Sequence, residues 1–175
     1  MQETVIDNNW QQHKFDKIAF LIKDQFDPKK DHNPKICIEL ENIQSETGRL
    51  NGYFSTKNLS STKIRFQPND VLFGKLRPYL NKYIYANFSG VCSTEIWVLR
   101  ANIQKCLPQY LFYIVQHSTF LKFANITAGT KMPRADWNVV KELELKLPSI
   151  LEQEKIAEIL SSCDRAIELT EKLIA

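Results

Sequence analysis

Leu147-Pro148-Ser149-Ile150-Leu151-Glu152-Gln153-Glu154-Lys155-Ile156, running on to Ala175, is the stretch at which the chain changes character. Pro148 closes a strand-like run, and Ser149 with Glu152 three residues later carries the signature of a helix-capping box. Beyond the cap, Ile156, Leu160, Cys163, Ile167 and Ile174 recur at spacings of three, four and seven, and only Thr170 interrupts the apolar pattern. This is a seam near the heptad period, bordered by Glu154, Glu158, Arg165, Glu168 and Lys172. An isolated helix of this size is marginal in water, so the seam requires a second surface. Two surfaces fit the pattern. The helix folds back on its own domain, or it is half of a helical pair whose other half lies outside this chain.

At 175 residues and 43% hydrophobic content, the chain is long enough for one cored body, expected over residues 1–148, and a helical appendage over 149–175. No apolar run approaches the roughly 20 residues needed to cross a bilayer, so no membrane partner is expected. Met1-Gln2-Glu3-Thr4 does not open a signal peptide. Cys37, Cys92, Cys106 and Cys163 contain no C-x-x-C pair and sit in apolar patterns, which predicts buried, reduced thiols and a cytoplasmic location. The net charge of +3 hides an asymmetry. Twenty of the 23 bases and fourteen of the 20 acids lie in residues 1–148, which puts the body at +6 and the tail at −3. A basic body suits a polyanion, and a balanced or acidic helix suits a protein partner.

Taken in order, Phe15, Ile18, Ala19 and Ile22 predict one amphipathic helical segment, broken by Asp27-Pro28 and Asn33-Pro34. Alternation predicts a strand from Ile36 to Glu41, and Gly48-Arg49-Leu50-Asn51-Gly52 reads as a turn. Ser55 to Lys63 reads as a surface loop carrying Lys57 and Lys63. Val71-Leu72-Phe73 is a short buried strand, Lys82 to Tyr85 alternates again, and Val91 to Leu99 reads as one continuous strand. Together these predict a curled antiparallel or mixed sheet with basic and aromatic residues at its turns. Pro108 starts a helix that Ser118-Thr119 punctuates, and Asp136-Trp137 opens a short turn. Leu143, Leu145 and Leu147 form a final strand.

The chain offers little to an enzyme. Cys92-Ser93-Thr94 has no histidine placed beside it by local sequence, and His13, His32 and His117 lack neighbours at metal-ligand spacing. Asp136 with Glu144-Leu145-Lys146 imitates the acid…acid-x-lysine pattern of metal-dependent nucleases, but simple strand alternation explains Glu144 and Lys146. Gly-rich phosphate loops are missing, as are the methyl-donor loop and the Asn/Asp-Pro-Pro-Tyr/Phe catalytic loop of a methyltransferase. Binding remains. Basic turns interleaved with tyrosines provide phosphate neutralisation and hydrogen bonds to base edges.

Specific residues then carry a resemblance. Asn69-Asp70-Val71-Leu72-Phe73-Gly74-Lys75-Leu76-Arg77-Pro78-Tyr79-Leu80 resembles a landmark of the target recognition domains in type I restriction-modification specificity subunits, with Asn69 where that family often has Gly. Gly90 to Ile96, Gly129-Thr130-Lys131-Met132-Pro133-Arg134, and Leu147-Pro148 followed by Glu152 to Ala157 are similar to the later landmarks, in the same order. The resemblance spans about Phe15 to the end of the chain.

The resemblance implies an α/β (α+β) recognition globule with a curled mixed sheet, followed by a long C-terminal coiled-coil-type helix. It implies a non-catalytic subunit that reads a bipartite site in double-stranded DNA. Such a subunit docks a methyltransferase (modification) subunit, which carries S-adenosylmethionine, and places a restriction subunit on the same DNA. No cofactor is expected in this chain itself. The family's subunits carry two recognition domains and two helices that pair antiparallel, whereas this chain has one of each. The chain is therefore expected to be either a half-sized subunit, forming a homodimer through the C-terminal helix or pairing with a second half-subunit, or a fragment of a longer subunit. Lys75, Arg77, Lys131 and Arg134 are the expected DNA contacts, with Lys57, Lys63 and Lys82 on phosphates. An Arg77 guanidinium tied to a backbone carbonyl or an acid is the plain alternative. Ile156, Leu160, Cys163, Ile167 and Ile174 are the expected helix-pairing residues. The competing functional reading is a decoy that binds a methyltransferase subunit through the helix without reading DNA.

Overall fold

A computed structural model describes residues 10–31, 33–126 and 131–174. The strands are β1 (Gln11–Lys14), β2 (Ala19–Ile22), β3 (Gln25–Phe26), β4 (Ile36–Ile38), β5 (Phe54–Ser55), β6 (Lys63–Phe66), β7 (Val71–Gly74), β8 (Tyr83–Tyr85), β9 (Gly90–Cys92), β10 (Ile96–Ala101) and β11 (Glu144–Leu147). The helices are α1 (Phe15–Ile18), α2 (Pro108–Ile114), α3 (Ser118–Ala124), α4 (Trp137–Val140) and α5 (Ile150–Ile174). The mixed α/β character matches the expectation. The strands, however, divide among three sheets rather than curling into one. These are the pair β1-β11, the antiparallel β2-β10-β7-β8, and the mixed β3-β6-β9-β4-β5, in which β4 and β9 run parallel.

The four-stranded sheet is the central layer, and its residues alternate between two cores. Val71, Phe73, Tyr83, Trp97 and Leu99 face a core completed by Leu111, Ile114, Val115 and Phe120 of the α2–α3 region. Leu72, Ile84, Ile96 and Val98 face a second core completed by Ile38, Phe66 and Cys92 of the five-stranded sheet. A strand buried on both faces reads as a continuous apolar run, as Val71-Leu72-Phe73 does. Asp70, 1% exposed, fixes the start of β7. It accepts both guanidinium bonds of Arg100 on β10, at 2.8 and 2.9 Å, and the Gln67 N–H at 2.9 Å.

Several expectations are corrected, among them the strand from Ile36 to Glu41, which ends at Ile38 before a 3-10 turn at Leu40–Asn42. The first helical segment ends at Ile18, and Ala19–Ile22 instead pairs antiparallel with β10. Strand β10 is flanked by β7 on its other side, so the short β2 run completes its backbone pairing. The expected strand from Val91 to Leu99 is broken at Ser93–Glu95. There the Ser93 N–H donates to the Ile38 carbonyl, the Ile96 N–H donates back to Ser93, and the chain passes from one sheet to the other. Asn69 makes its turn with φ 73°, in the left-handed region. Cys37, Cys92 and Cys106 are buried, and burial pushes the Cys37 thiol up to about 11. Cys163 is exposed, contrary to expectation, because α5 leaves that face uncovered.

Helix α5 opens on the expected capping box. The Ser149 N–H and hydroxyl both donate to Glu152 Oε2, at 2.9 and 2.8 Å. Gln153, fully buried, then joins the helix to the globule. Its Oε1 accepts the Leu107 N–H at 2.9 Å, and its Nε2 donates to the carbonyls of Lys105 (2.8 Å) and Pro148 (3.0 Å). Farther along, Tyr113 donates to Asp164 at 2.9 Å, and Arg49 pairs with Glu171. The helix thus follows its own globule through polar contacts while much of its apolar surface stays in solvent. Leu160 is 37%, Ile167 53% and Ile174 81% exposed.

Gln153→Ala leaves the Leu107 amide and the Lys105 and Pro148 carbonyls without their partner at a partly buried junction. It is expected to lower unfolding free energy by about 2–4 kcal/mol in urea titration. Glu152→Ala, which removes only the exposed half of the cap, costs about 1 kcal/mol. Equal effects from the two substitutions would contradict the anchoring role of Gln153.

Candidate nucleic-acid interface

Four expected DNA contacts, Lys75, Arg77, Lys131 and Arg134, come from segments that the fold brings together. Leu76 and Arg134 form an isolated antiparallel bridge. The Arg77 N–H donates to the Pro133 carbonyl and the Ala135 N–H to the Lys75 carbonyl, both at 2.8 Å. The Lys75 N–H donates to the Glu95 carbonyl at 2.9 Å, which ties this rim to the break between β9 and β10. Arg77 and Lys131 are exposed and Lys75 is half-buried. Gly129 and Thr130, quoted with Lys131 above, lie outside the described residues.

The alternative for Arg77 finds no support among the described residues, where its guanidinium has no hydrogen-bond partner. Its backbone is what the turn uses: φ is 51°, and Pro78–Leu80 follows as a single 3-10 turn. Arg134 is half committed. Its Nε and Nη2 donate to Glu95 at 3.0 and 3.2 Å, which raises the guanidinium pKa further, yet 48% of the side chain remains exposed.

Two expected phosphate contacts are placed elsewhere. Lys63 is 7% exposed, and its Nζ is paired with Glu39, so it is not on the surface. Residues 63–66 form a strand inside the five-stranded sheet rather than the end of a loop, which draws the ammonium inward. The Lys82 Nζ donates to the Leu40 carbonyl at 2.6 Å and closes the second core instead of facing solvent. Lys57 is exposed but stands apart. The Thr56 N–H bonds Lys35, at the opposite end of β4 from the Ser93–Glu95 break, so Lys57 is not part of the basic rim.

The residues of the nuclease-like pattern have structural tasks. Asp136 caps α4 by accepting the Asn138 N–H at 2.8 Å, and Glu144 accepts from Gln12 across β1-β11. No group of three or more His, Cys, Asp or Glu able to hold a metal exists among the described residues.

On α5, the expected pairing residues Ile156, Leu160, Cys163, Ile167 and Ile174 share one side of the helix, beside the edge that meets the globule. Sequence reasoning missed the neighbouring row Ile159, Ala166 and Leu173, whose signal is a strict seven-residue spacing. Ile159 is 64% and Leu173 87% exposed. The two rows together make an uncovered apolar stripe along most of the helix. No helix among the described residues is long and apolar enough to cross a membrane.

Comparison with known proteins meets these features from outside. The family model described as the type I restriction modification DNA specificity domain matches residues 8–175. The chain is 29% identical, over 154 residues, to the type I restriction enzyme EcoDI specificity subunit of Escherichia coli; the match covers 86% of this chain and 34% of that protein. The fold is similar to that of the HsdS subunit from Thermoanaerobacter tengcongensis, with a TM-score of 0.78 at 22% identity over 94% of this chain and 44% of that one. It is also similar to the type I restriction-modification system S subunit from M. genitalium, with a TM-score of 0.67 at 17% identity over 99% and 44%. The chain therefore spans about a third of the length of the curated relative and under half of each solved neighbour.

Lys63→Ala leaves Glu39 without its partner in a largely buried place and is expected to cost about 1–3 kcal/mol. Lys75→Ala, on the rim, is expected to stay within about 0.5 kcal/mol of wild type. Denaturant midpoints measure both, and an unchanged midpoint for Lys63→Ala would contradict the inward placement.

Proposed function

The chain belongs to the type I restriction modification DNA specificity domain family, and from that premise we propose that it is the DNA-reading half of a bipartite specificity subunit. The observation that carries this reading is the convergence of Lys75, Arg77, Lys131 and Arg134 on one rim through the Leu76–Arg134 bridge. Such a cluster neutralises phosphates, and an arginine with a free guanidinium can reach base edges. Lys57 is a separate, outlying phosphate contact. In this reading residues 1–148 recognise DNA, residues 149–175 pair and dock, and the chain itself carries out no chemistry. Methylation belongs to a partner methyltransferase subunit that carries S-adenosylmethionine, and cleavage to a restriction subunit recruited to the same complex. The cytoplasm, where such DNA lies, is its place of action.

The exposed stripe on α5 supports a homodimer, or an equivalent pairing with a second half-subunit. Ile156, Cys163 and Thr170 repeat at seven, as do Ile159, Ala166 and Leu173, and Leu160, Ile167 and Ile174 flank them. Two copies running antiparallel place Ile156 against the other copy's Leu173, Ile159 against its Thr170, and Cys163 against its Ala166. The smallest side chains then meet at the two-fold axis, where the helices approach most closely. A two-fold pair of readers selects a palindromic, divided site, and the helix length sets the gap between half-sites.

Sedimentation tests the pairing and salt-dependent duplex binding tests the rim. Wild type is expected to sediment at twice its 20.4 kDa mass, and Ile159→Asp at 20.4 kDa. Lys75→Ala and Lys131→Ala are each expected to reduce the slope of log affinity against log salt by about one, and Arg77→Ala to cost about 1–3 kcal/mol and relax sequence preference. Unchanged mass and slopes, with retained binding to a methyltransferase subunit, would favour the decoy reading.

A further inference from the structure

The segments of the basic rim also carry exposed apolar side chains that phosphate binding does not require. Tyr79 is 55% exposed, Leu80 36% and Met132 45%, and all three lie in the segments that carry Arg77, Lys131 and Arg134. Tyr79 and Leu80 form the 3-10 turn with Pro78, between two left-handed residues that are not glycine, Arg77 (φ 51°) and Asn81 (φ 48°). Backbone of that kind persists only where the surroundings over-determine it. Here the Arg77 N–H is held by the Pro133 carbonyl at 2.8 Å, and the Leu80 N–H donates to Arg77 at 2.9 Å. The Asn81 N–H donates to Pro78 at 3.0 Å, and the Asn81 carbonyl accepts from the Glu46 N–H at 2.9 Å. The Asn81 amide also bonds the Glu46 carboxylate at 3.1 Å. The fold thus holds a well-tied turn on which the apolar side chains of Tyr79 and Leu80 are exposed.

The groups around this turn specify what covers it. Arg77, Lys131, Arg134 and Lys75 call for a polyanion. The nearby acids are engaged, Glu95 by Arg134, Glu46 by Asn81 and Asp136 by the Asn138 N–H. A ligand that presents phosphates at its edges and apolar faces between them is a nucleic-acid duplex with an opened base step. Resting on the DNA-reading function above, we propose that Tyr79 and Leu80 are an apolar wedge that enters a groove and partly unstacks one base step, while the cations hold the flanking phosphates. The wedge adds specificity through deformability. Steps that unstack easily, pyrimidine–purine steps above all, are favoured at a position where no hydrogen bond reads the base.

The test uses the full chain and duplexes that wild type recovers from a random pool, with end-to-end energy transfer reporting the bend. Wild type is expected to bend the duplex. Tyr79→Ser and Leu80→Ser, on exposed side chains, are expected to fold normally by thermal melting and lose the bend. They are also expected to lose at least tenfold in preference over an unrelated duplex, with an unchanged salt slope. Tyr79→Phe, which keeps the ring, retains both properties. An unbent wild-type complex overturns the wedge, as do variants that bend like wild type. A uniform loss of affinity with a reduced salt slope also overturns it, because that marks a phosphate contact only. Wild type that binds no duplex at any salt concentration overturns the DNA-reading function itself, and the wedge with it.

Discussion

The carboxamide of Gln153, itself fully buried, makes three hydrogen bonds that fasten the start of α5 to the globule. Its acceptor oxygen takes the Leu107 N–H just before α2, where an amide at a helix start otherwise lacks a partner. Its amino group satisfies carbonyls on both sides of the junction, at Lys105 and Pro148. Every partner is backbone, so the contact defines geometry rather than adding apolar adhesion. Losing it leaves unpaired groups, which makes the junction rigid. The proposed role of α5 as a spacer between two DNA readers requires such a junction.

Acid–base pairs divide the basic residues between structure and function. Asp70 takes Arg100 and Glu39 takes Lys63, and each of those cations braces strands within one sheet. Glu95 takes only part of Arg134, while Arg77, Lys131 and Lys57 remain exposed. The rim cations thus sit on connecting segments that a two-core scaffold positions.

Much of this was legible in the sequence wherever one local rule governed the outcome. The Ser149–Glu152 cap and the Pro108 helix start formed as read, the helix is interrupted just before Ser118, and the final strand runs over Glu144–Leu147 with Leu143 outside it. Rules that depend on distant partners failed. Ala19–Ile22 has helical spacing, yet the open edge of β10 makes it a strand. Val91–Leu99 looks continuous, yet two sheets compete for it and it breaks at Ser93. Lys63 and Lys57 look alike in sequence, and only the presence of Glu39 across the sheet separates a buried ammonium from a free one. On α5 the sequence marked one side of the apolar stripe. The Ile159 row escaped because Ala166 interrupts its hydrophobicity, and the small side chain is the feature that allows close helix approach.

The central claim is that this chain reads DNA as one of two symmetric halves joined through α5. Selection from a random duplex pool, carried to sequencing with and without a methyltransferase subunit, tests it most directly. The account predicts enrichment of an inverted repeat divided by a fixed, unread gap. Recovery of duplexes with no shared motif, or of a single undivided motif, would contradict it.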